Sequence, residues 1–164
     1  MPLDRSLIGT TSPELVVDVE RGRLRFFAKA TGQTDPVYRD LDAARAAGHR
    51  DLPVPPTFLF CLGMDVPNPF EHLEKLGIDP VTVLHGEQGF EYLAPVYAGD
   101  TLTYSTRISD IYEKKGGALE FLVRTTEVTR DGEPVARLTA SAVIRHKVDR
   151  HKVDRDKTDK EATA

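Results

Sequence analysis

The chain carries one cysteine, Cys61, so no internal disulfide can staple it. No apolar run approaches the roughly 20 residues that a helix needs to cross a bilayer. Positive charge is not in excess: 22 Lys and Arg stand against 26 Asp and Glu, for a net charge of -4. A global basic field that would draw in nucleic acid or anionic lipid is therefore absent. The first residues, Met1-Pro2-Leu3-Asp4-Arg5, lack the basic and then apolar pattern of a signal peptide. Together these absences point to a cytoplasmic protein. Cys61 itself lies in the apolar run Phe58-Leu59-Phe60-Cys61-Leu62 and reads as a small buried residue, because nothing there stabilises a thiolate.

What is present is ordinary for a globular chain: 164 residues, 40% hydrophobic and 29% charged. That length suggests one domain with a real core. Leu15 to Val19 reads as a short strand. A helix is expected from about Glu20 to Thr31, with Leu24, Phe27, Ala28 and Thr31 at helical spacing and Gly32 ending it. Asp35-Pro36 then marks a turn. Asp40 is a good N-cap for a second helix over Leu41 to Ala47. The prolines of Leu52-Pro53-Val54-Pro55-Pro56 forbid helix until Pro56. From Thr57 to Met64 the sequence is apolar almost all round, which predicts a buried central helix. Phe70 to Leu76 suggests another short helix.

The second half changes character. Val81 to Tyr92 reads as a long strand, with Gly86 and Gly89 marking a bulge or a close backbone approach. Thr101 to Ile108, Leu119 to Val128 and Val135 to Ile144 are further strands, the last two joined by the hairpin signal Asp131-Gly132. The sum is an antiparallel sheet wrapped around a central helix, over residues 1–145. An open sheet edge is expected to be covered by a second chain, so a dimer is expected. Residues 146–164 form a charged tail with almost nothing apolar, expected to be disordered. It contains the tandem repeat His146-Lys147-Val148-Asp149-Arg150 and His151-Lys152-Val153-Asp154-Arg155. His146 and His151 recur because of the repeat and have no third ligand nearby, so no metal site is assigned to them.

At this point the residues resemble a family. Phe26-Phe27-Ala28-Lys29-Ala30-Thr31-Gly32, followed by Asp35-Pro36-Val37-Tyr38 and Asp40, resembles the signature F-A-x-x-[ST]-G-D-x-N-P-[ILV]-H-x-D of the MaoC-like hot-dog hydratases. Pro95-Val96-Tyr97-Ala98-Gly99-Asp100-Thr101-Leu102 resembles the family's R-P-V-x-x-G-D-T-[LIV] turn. Val54-Pro55-Pro56-Thr57-Phe58 and Leu84-His85-Gly86-Glu87-Gln88 are similar to the subgroup called the MaoC dehydratase N-terminal, or fatty-acid-synthase-type dehydratase, domain. The resemblance covers about residues 6 to 145.

It implies an α+β hot-dog fold, with an antiparallel sheet wrapped around a long central apolar helix. It implies acyl thioesters of coenzyme A or acyl carrier protein as ligands, with no other cofactor and no metal. The implied reaction is reversible water addition across a 2-enoyl thioester to the (R)-3-hydroxyacyl form. Such chemistry needs a carboxylate and an imidazole flanking one water, and a helix N-terminus to polarise the thioester carbonyl.

In this chain the signature Asp falls on Gln33 and the signature His on Tyr38. Gln33 neither gives nor takes a proton near neutral pH, and Tyr38 is a poor base. Asp35 replaces the signature Asn and reads more simply as a turn residue. The family's helix-start Gly falls on Thr57, whose N–H behind Pro56 is expected to hold a thioester oxygen. Gln33, Tyr38, Pro56, Thr57 and Phe58 are thus the expected substrate-binding set. His85 and Glu87, two apart on a strand, are expected on one face and are the remaining acid/base candidates beside Asp35. Arg39, Arg45 and Arg50 are candidates for carrier phosphates, although solvated surface charges are the plainer reading.

The pattern is similar to the non-catalytic subunit of heterodimeric (3R)-hydroxyacyl-ACP dehydratases, in which a partner supplies the Asp and His. A self-sufficient hydratase using His85 with Glu87 or Asp35 is the alternative, and a non-enzymatic acyl-thioester-binding dimer is a third reading.

Overall fold

A computed structural model describes residues 2–146. Five strands form one antiparallel sheet: β1 (Leu15–Asp18), β2 (Val83–Tyr92), β3 (Thr101–Lys114), β4 (Leu119–Arg130) and β5 (Glu133–Arg145). Their order is β1-β3-β4-β5-β2, so β1 and β2 are the two open edges. Four helices precede β2: α1 (Arg21–Ala30), α2 (Leu41–Ala46), α3 (Phe58–Gly63) and α4 (Glu71–Lys75). The hairpin between β4 and β5 turns on Asp131 and Gly132 with φ of 52° and 82°, the left-handed pair that an Asp-Gly turn predicts.

Period-two alternation sets the inner face of the sheet. On β4 Leu122 and Val128 are buried, and they meet Ile111 and Tyr104 of β3 in register. The core then continues through Leu24 of α1, Ala44 of α2, and Leu59 and Leu62 of α3. A second cluster joins Leu73 of α4 to Ile111, Leu122 and Ile144. The strand expected to stop at Ile108 runs on to Lys114. A register shift between Ile108 and Asp110 inserts one extra residue, so Ile108 and Ile111 both belong to the inner cluster. The alternation seemed to end there only because the bulge breaks it.

The central helix lies against the sheet as expected: the Tyr104 hydroxyl donates to the Leu59 carbonyl at 3.0 Å, and a Cβ on Gly63 would meet the Tyr104 ring at 3.4 Å. Its length is the correction. α3 has six residues rather than a long run. It unwinds through Met64 N–H to Cys61 O and Asp65 N–H to Leu62 O before Pro67. Its apolar circumference is not wholly buried either, since Phe60 and Met64 are each 37% exposed. Cys61 is half-buried, with its thiol pushed up by burial as an inert cysteine's would be.

One buried carboxylate joins the start of the chain to the residue after β5. Glu120 is 1% exposed; it accepts the Leu3 amide at 2.7 Å and lies 2.9 Å from His146 Nε2. His146 is thus engaged within the fold, while His151 and the rest of the expected tail lie outside the described residues. Among the described residues no helix is long and apolar enough to cross a membrane, and no group of three or more metal-capable side chains forms.

Candidate functional site

The signature loop is built so that its polar groups are consumed locally. α1 ends with Gly32 at φ 69° and Gln33 N–H returning to Ala28 O at 2.8 Å, a left-handed helix stop that favours glycine. The Gln33 carboxamide oxygen accepts the Asp35 amide at 3.1 Å. Asp35 in turn caps the 3-10 turn Pro36–Tyr38, accepting Val37 N–H at 3.0 Å. Asp40 caps α2 through the amides of Asp42 and Ala43 at 2.8 and 2.9 Å. Arg39 reaches back to Thr34 O at 2.7 Å, and Arg25 holds Arg39 O at 2.9 Å. Asp35 is therefore an exposed turn-capping carboxylate.

This loop delivers Tyr38 to the wall of a cavity of about 360 Å³, shared with Pro56 and Leu59 at the start of α3 and with Tyr92 to Val96 after β2. Thr57 sits at the helix start with φ 69°, the left-handed conformation that the family's Gly adopts freely and that costs a threonine of the order of 1 kcal/mol. Its N–H is not free. It donates to the Tyr92 hydroxyl at 3.0 Å, so a ligand oxygen reaches Thr57 only by displacing Tyr92. Phe58 contributes nothing to the cavity wall: it is 4% exposed, its ring packs on Phe27 at 4.9 Å and its N–H bonds Pro55 O. Tyr92 is the residue that sequence reasoning missed. It lies 35 positions from Thr57, and nothing local announces the contact.

His85 and Glu87 are not a pair. Gly86 is a bulge: His85 stands opposite Ala142 and Glu87 opposite Ser141. Those partners are consecutive on β5, so the two side chains leave opposite faces of the sheet. A Cβ on Gly86 would lie 2.8 Å from Val143 Cγ2, which is why glycine stands there. The His85 ring lies edge-on to Phe60, 5.8 Å between centroids. At ~3.3 Å per residue, His85 lies roughly 20 Å along β2 from Tyr92 at the Tyr38 cavity. Within one chain, His85, Glu87 and Asp35 do not assemble into one site.

Two of the three candidate arginines, Arg39 and Arg50, are engaged within the fold. Arg50 pairs with Asp100 and its guanidinium lies 4.9 Å from the Tyr97 ring centroid. Arg130 holds the same carboxylate at 2.7 Å and Pro95 O at 3.1 Å. Burial alone would raise the Asp100 pKa, but the Tyr97 amide and the two guanidiniums outweigh it and hold the carboxyl below its usual range. This carboxylate shapes the turn that carries Pro95 and Val96 to the cavity. Arg45 stays exposed, near Asp51.

The sequence matches the family described as the FAS1-like dehydratase domain region over residues 6–138. It is 37% identical over 147 residues to a UPF0336 protein of Saccharopolyspora erythraea, covering 88% of this chain and 93% of that one. Among solved structures it is similar to a chain of the HadBC (3R-hydroxyacyl-ACP dehydratase) complex of Mycobacterium tuberculosis, with TM-score 0.71, 26% identity, and 84% and 96% of the two chains covered. It also superposes on a MaoC-like dehydratase with TM-score 0.75 and 24% identity, spanning 85% of this chain and 42% of that longer one. The fold is thus the hot-dog α+β arrangement.

Proposed function

This chain belongs to the FAS1-like dehydratase-region family of MaoC-like hot-dog proteins, and from that premise we propose that it is the acyl-thioester-binding subunit of a two-chain (R)-specific enoyl hydratase or 3-hydroxyacyl dehydratase. The observation that carries this reading is the state of the signature loop. Its scaffold is intact, yet the acid and base positions hold a carboxamide tied to the Asp35 amide and a phenol on a cavity wall. Neither group moves a proton to or from water near neutral pH. A partner subunit with the Asp and His supplies the chemistry.

In this reading the present chain holds the acyl thioester, of coenzyme A or acyl carrier protein, along the Tyr38–Pro56–Tyr92 cavity. The thioester oxygen takes the Thr57 amide when the Tyr92 hydroxyl moves aside. No further cofactor is needed, and the complex works in the cytoplasm. The similarity to a chain of a two-subunit dehydratase complex supports the pairing, as does β2, an open edge carrying exposed Leu84 and Tyr92.

The test is hydration of crotonyl-CoA, followed by loss of enoyl-thioester absorbance. The chain alone should give no turnover, and the chain mixed with a MaoC-like partner bearing the intact Asp/His signature should give turnover. Full activity of the chain alone would overturn the proposal, and loss of that activity in His85→Ala would move the chemistry to β2. Binding of acyl-CoA with no turnover beside any such partner would leave a non-enzymatic binding dimer.

A further inference from the structure

A second and larger cavity, of about 690 Å³, lies between the sheet and the end of α3. Its walls are the inner face of the sheet on one side and the end of α3, the Val66–Pro69 turn and α4 on the other. The sheet side mixes apolar Leu122, Leu138 and Ala140 with polar Gln88, Thr106 and Thr126. Arg124 is the charged residue on its inner face. It follows Leu122 by two on β4, which places its side chain on the same inner face. It is half-buried, and among the described residues it makes no ion pair and no hydrogen bond.

The other charged groups on this cavity do not neutralise it. Glu71 is paired with Lys75 on α4, Glu14 is exposed and makes no ion pair with Arg124, and Arg107 is exposed. His72 of α4 shares the cavity. Desolvation, and then repulsion by Arg124, hold its imidazole down to about 4, so it is neutral at physiological pH. A second group is unmet as well: the Gln88 side-chain oxygen is buried on the same wall with no hydrogen-bond partner.

A half-buried guanidinium that pairs with no carboxylate among the described residues is only partly hydrated, and it keeps its proton. The group that best satisfies its planar fork is a carboxylate, taken through two parallel hydrogen bonds. A phosphate dianion calls for more cations than this one, since Lys75 is paired with Glu71 and Arg107 is exposed at the cavity's edge. The volume is in the range of small-molecule pockets, about 300–1,000 Å³.

We infer that this cavity is a binding site for an aliphatic carboxylate, with Arg124 holding the carboxylate and Leu122, Leu138 and Ala140 flanking the chain. The carboxylate has two sources, a free fatty acid or the far end of an ω-carboxyacyl thioester. The free-acid arm is independent of the dehydratase-subunit reading, and only the thioester arm rests on it.

The experiment is calorimetric titration of the full-length chain with decanoate and with decanol, below their aggregation limits, in the wild type and in Arg124→Leu and Arg124→Lys. Wild type should bind decanoate at least about tenfold more tightly than decanol, as expected for one charge-assisted fork. Arg124→Leu should remove that preference while leaving decanol binding in place, and Arg124→Lys should keep part of it. Arg124→Leu deletes an uncompensated charge, so it should fold. Equal affinity for decanoate and decanol in the wild type, or an unchanged preference in Arg124→Leu, would overturn the proposal. Decanoyl-CoA and the mono-CoA thioester of decanedioic acid separate the sources. Tighter, Arg124-dependent binding of the dicarboxylic thioester assigns the site to an acyl tail. Arg124-dependent binding of decanoate alone assigns it to a free acid.

Discussion

Around the smaller cavity, charged and polar groups are matched. Asp100 takes Arg50 and Arg130, Arg39 and Arg25 take loop carbonyls, Gln33 takes the Asp35 amide, and Thr57 has the Tyr92 hydroxyl. Around the larger cavity, Arg124 and the Gln88 oxygen have no partner among the described residues, and His72 is kept neutral. In the first region the loop is held in shape, with a carboxamide at Gln33 and a phenol at Tyr38. The second has unmet hydrogen-bonding capacity, which is what a ligand completes. The polar groups beside the signature loop are thus the better satisfied of the two sets, and those on the larger cavity the less.

The largest effect that would sharpen this contrast is at Asp100. Asp100→Ala strands two guanidiniums, one of them largely withdrawn from water. It should cost about 3–5 kcal/mol in urea unfolding, the usual penalty for breaking a buried pair from one side. A loss below 1 kcal/mol would show that the matched region is not held by its charges.

The next concerns pH. His72 has a folded pKa near 4 against an ordinary 6.5, so between those values the unfolded chain binds the extra proton. Stability is therefore full above about pH 6.5 and falls as pH drops toward 4, by at most about 3 kcal/mol from this residue. His72→Phe should flatten that limb of a plot of unfolding free energy against pH. Carboxylates such as Asp51, held down at about 2 by its bidentate Arg21, act only below this window.

Smaller still is Tyr92→Phe, which removes the acceptor of the Thr57 amide. It should cost about 1 kcal/mol of stability, and it should tighten acyl-CoA binding if the thioester oxygen takes the vacated N–H. Unchanged stability together with unchanged binding would separate Tyr92 from the site. The smallest effect is expected at Arg124. Arg124→Leu should leave the free energy of unfolding within about 1 kcal/mol of wild type, on the stabilising side, because it removes an unpaired charge rather than a pair. A loss of several kcal/mol would place Arg124 among the matched groups and erase the contrast.

Much of this was legible along the chain. Apolar patterning and breakers located the five strands and four α-helices of the described residues, Asp40 announced its cap, Asp131-Gly132 its hairpin, and Gly86 a bulge. The departures at Gln33 and Tyr38 needed only the order of letters. These features are set by interactions among residues a few positions apart, so sequence alone determines them. Tertiary structure decided the rest. The bulge at Gly86 put His85 and Glu87 on opposite faces, although their spacing by two implied one face. The helix apolar on all sides left Phe60 and Met64 each 37% exposed, on the wall of a cavity that the sequence did not announce. Thr57 met Tyr92, and Asp100 met Arg50 and Arg130, across 30 or more positions. Whether an arginine is paired depends on what register and packing bring beside it, and that is why Arg124 was silent in the sequence and conspicuous in the fold.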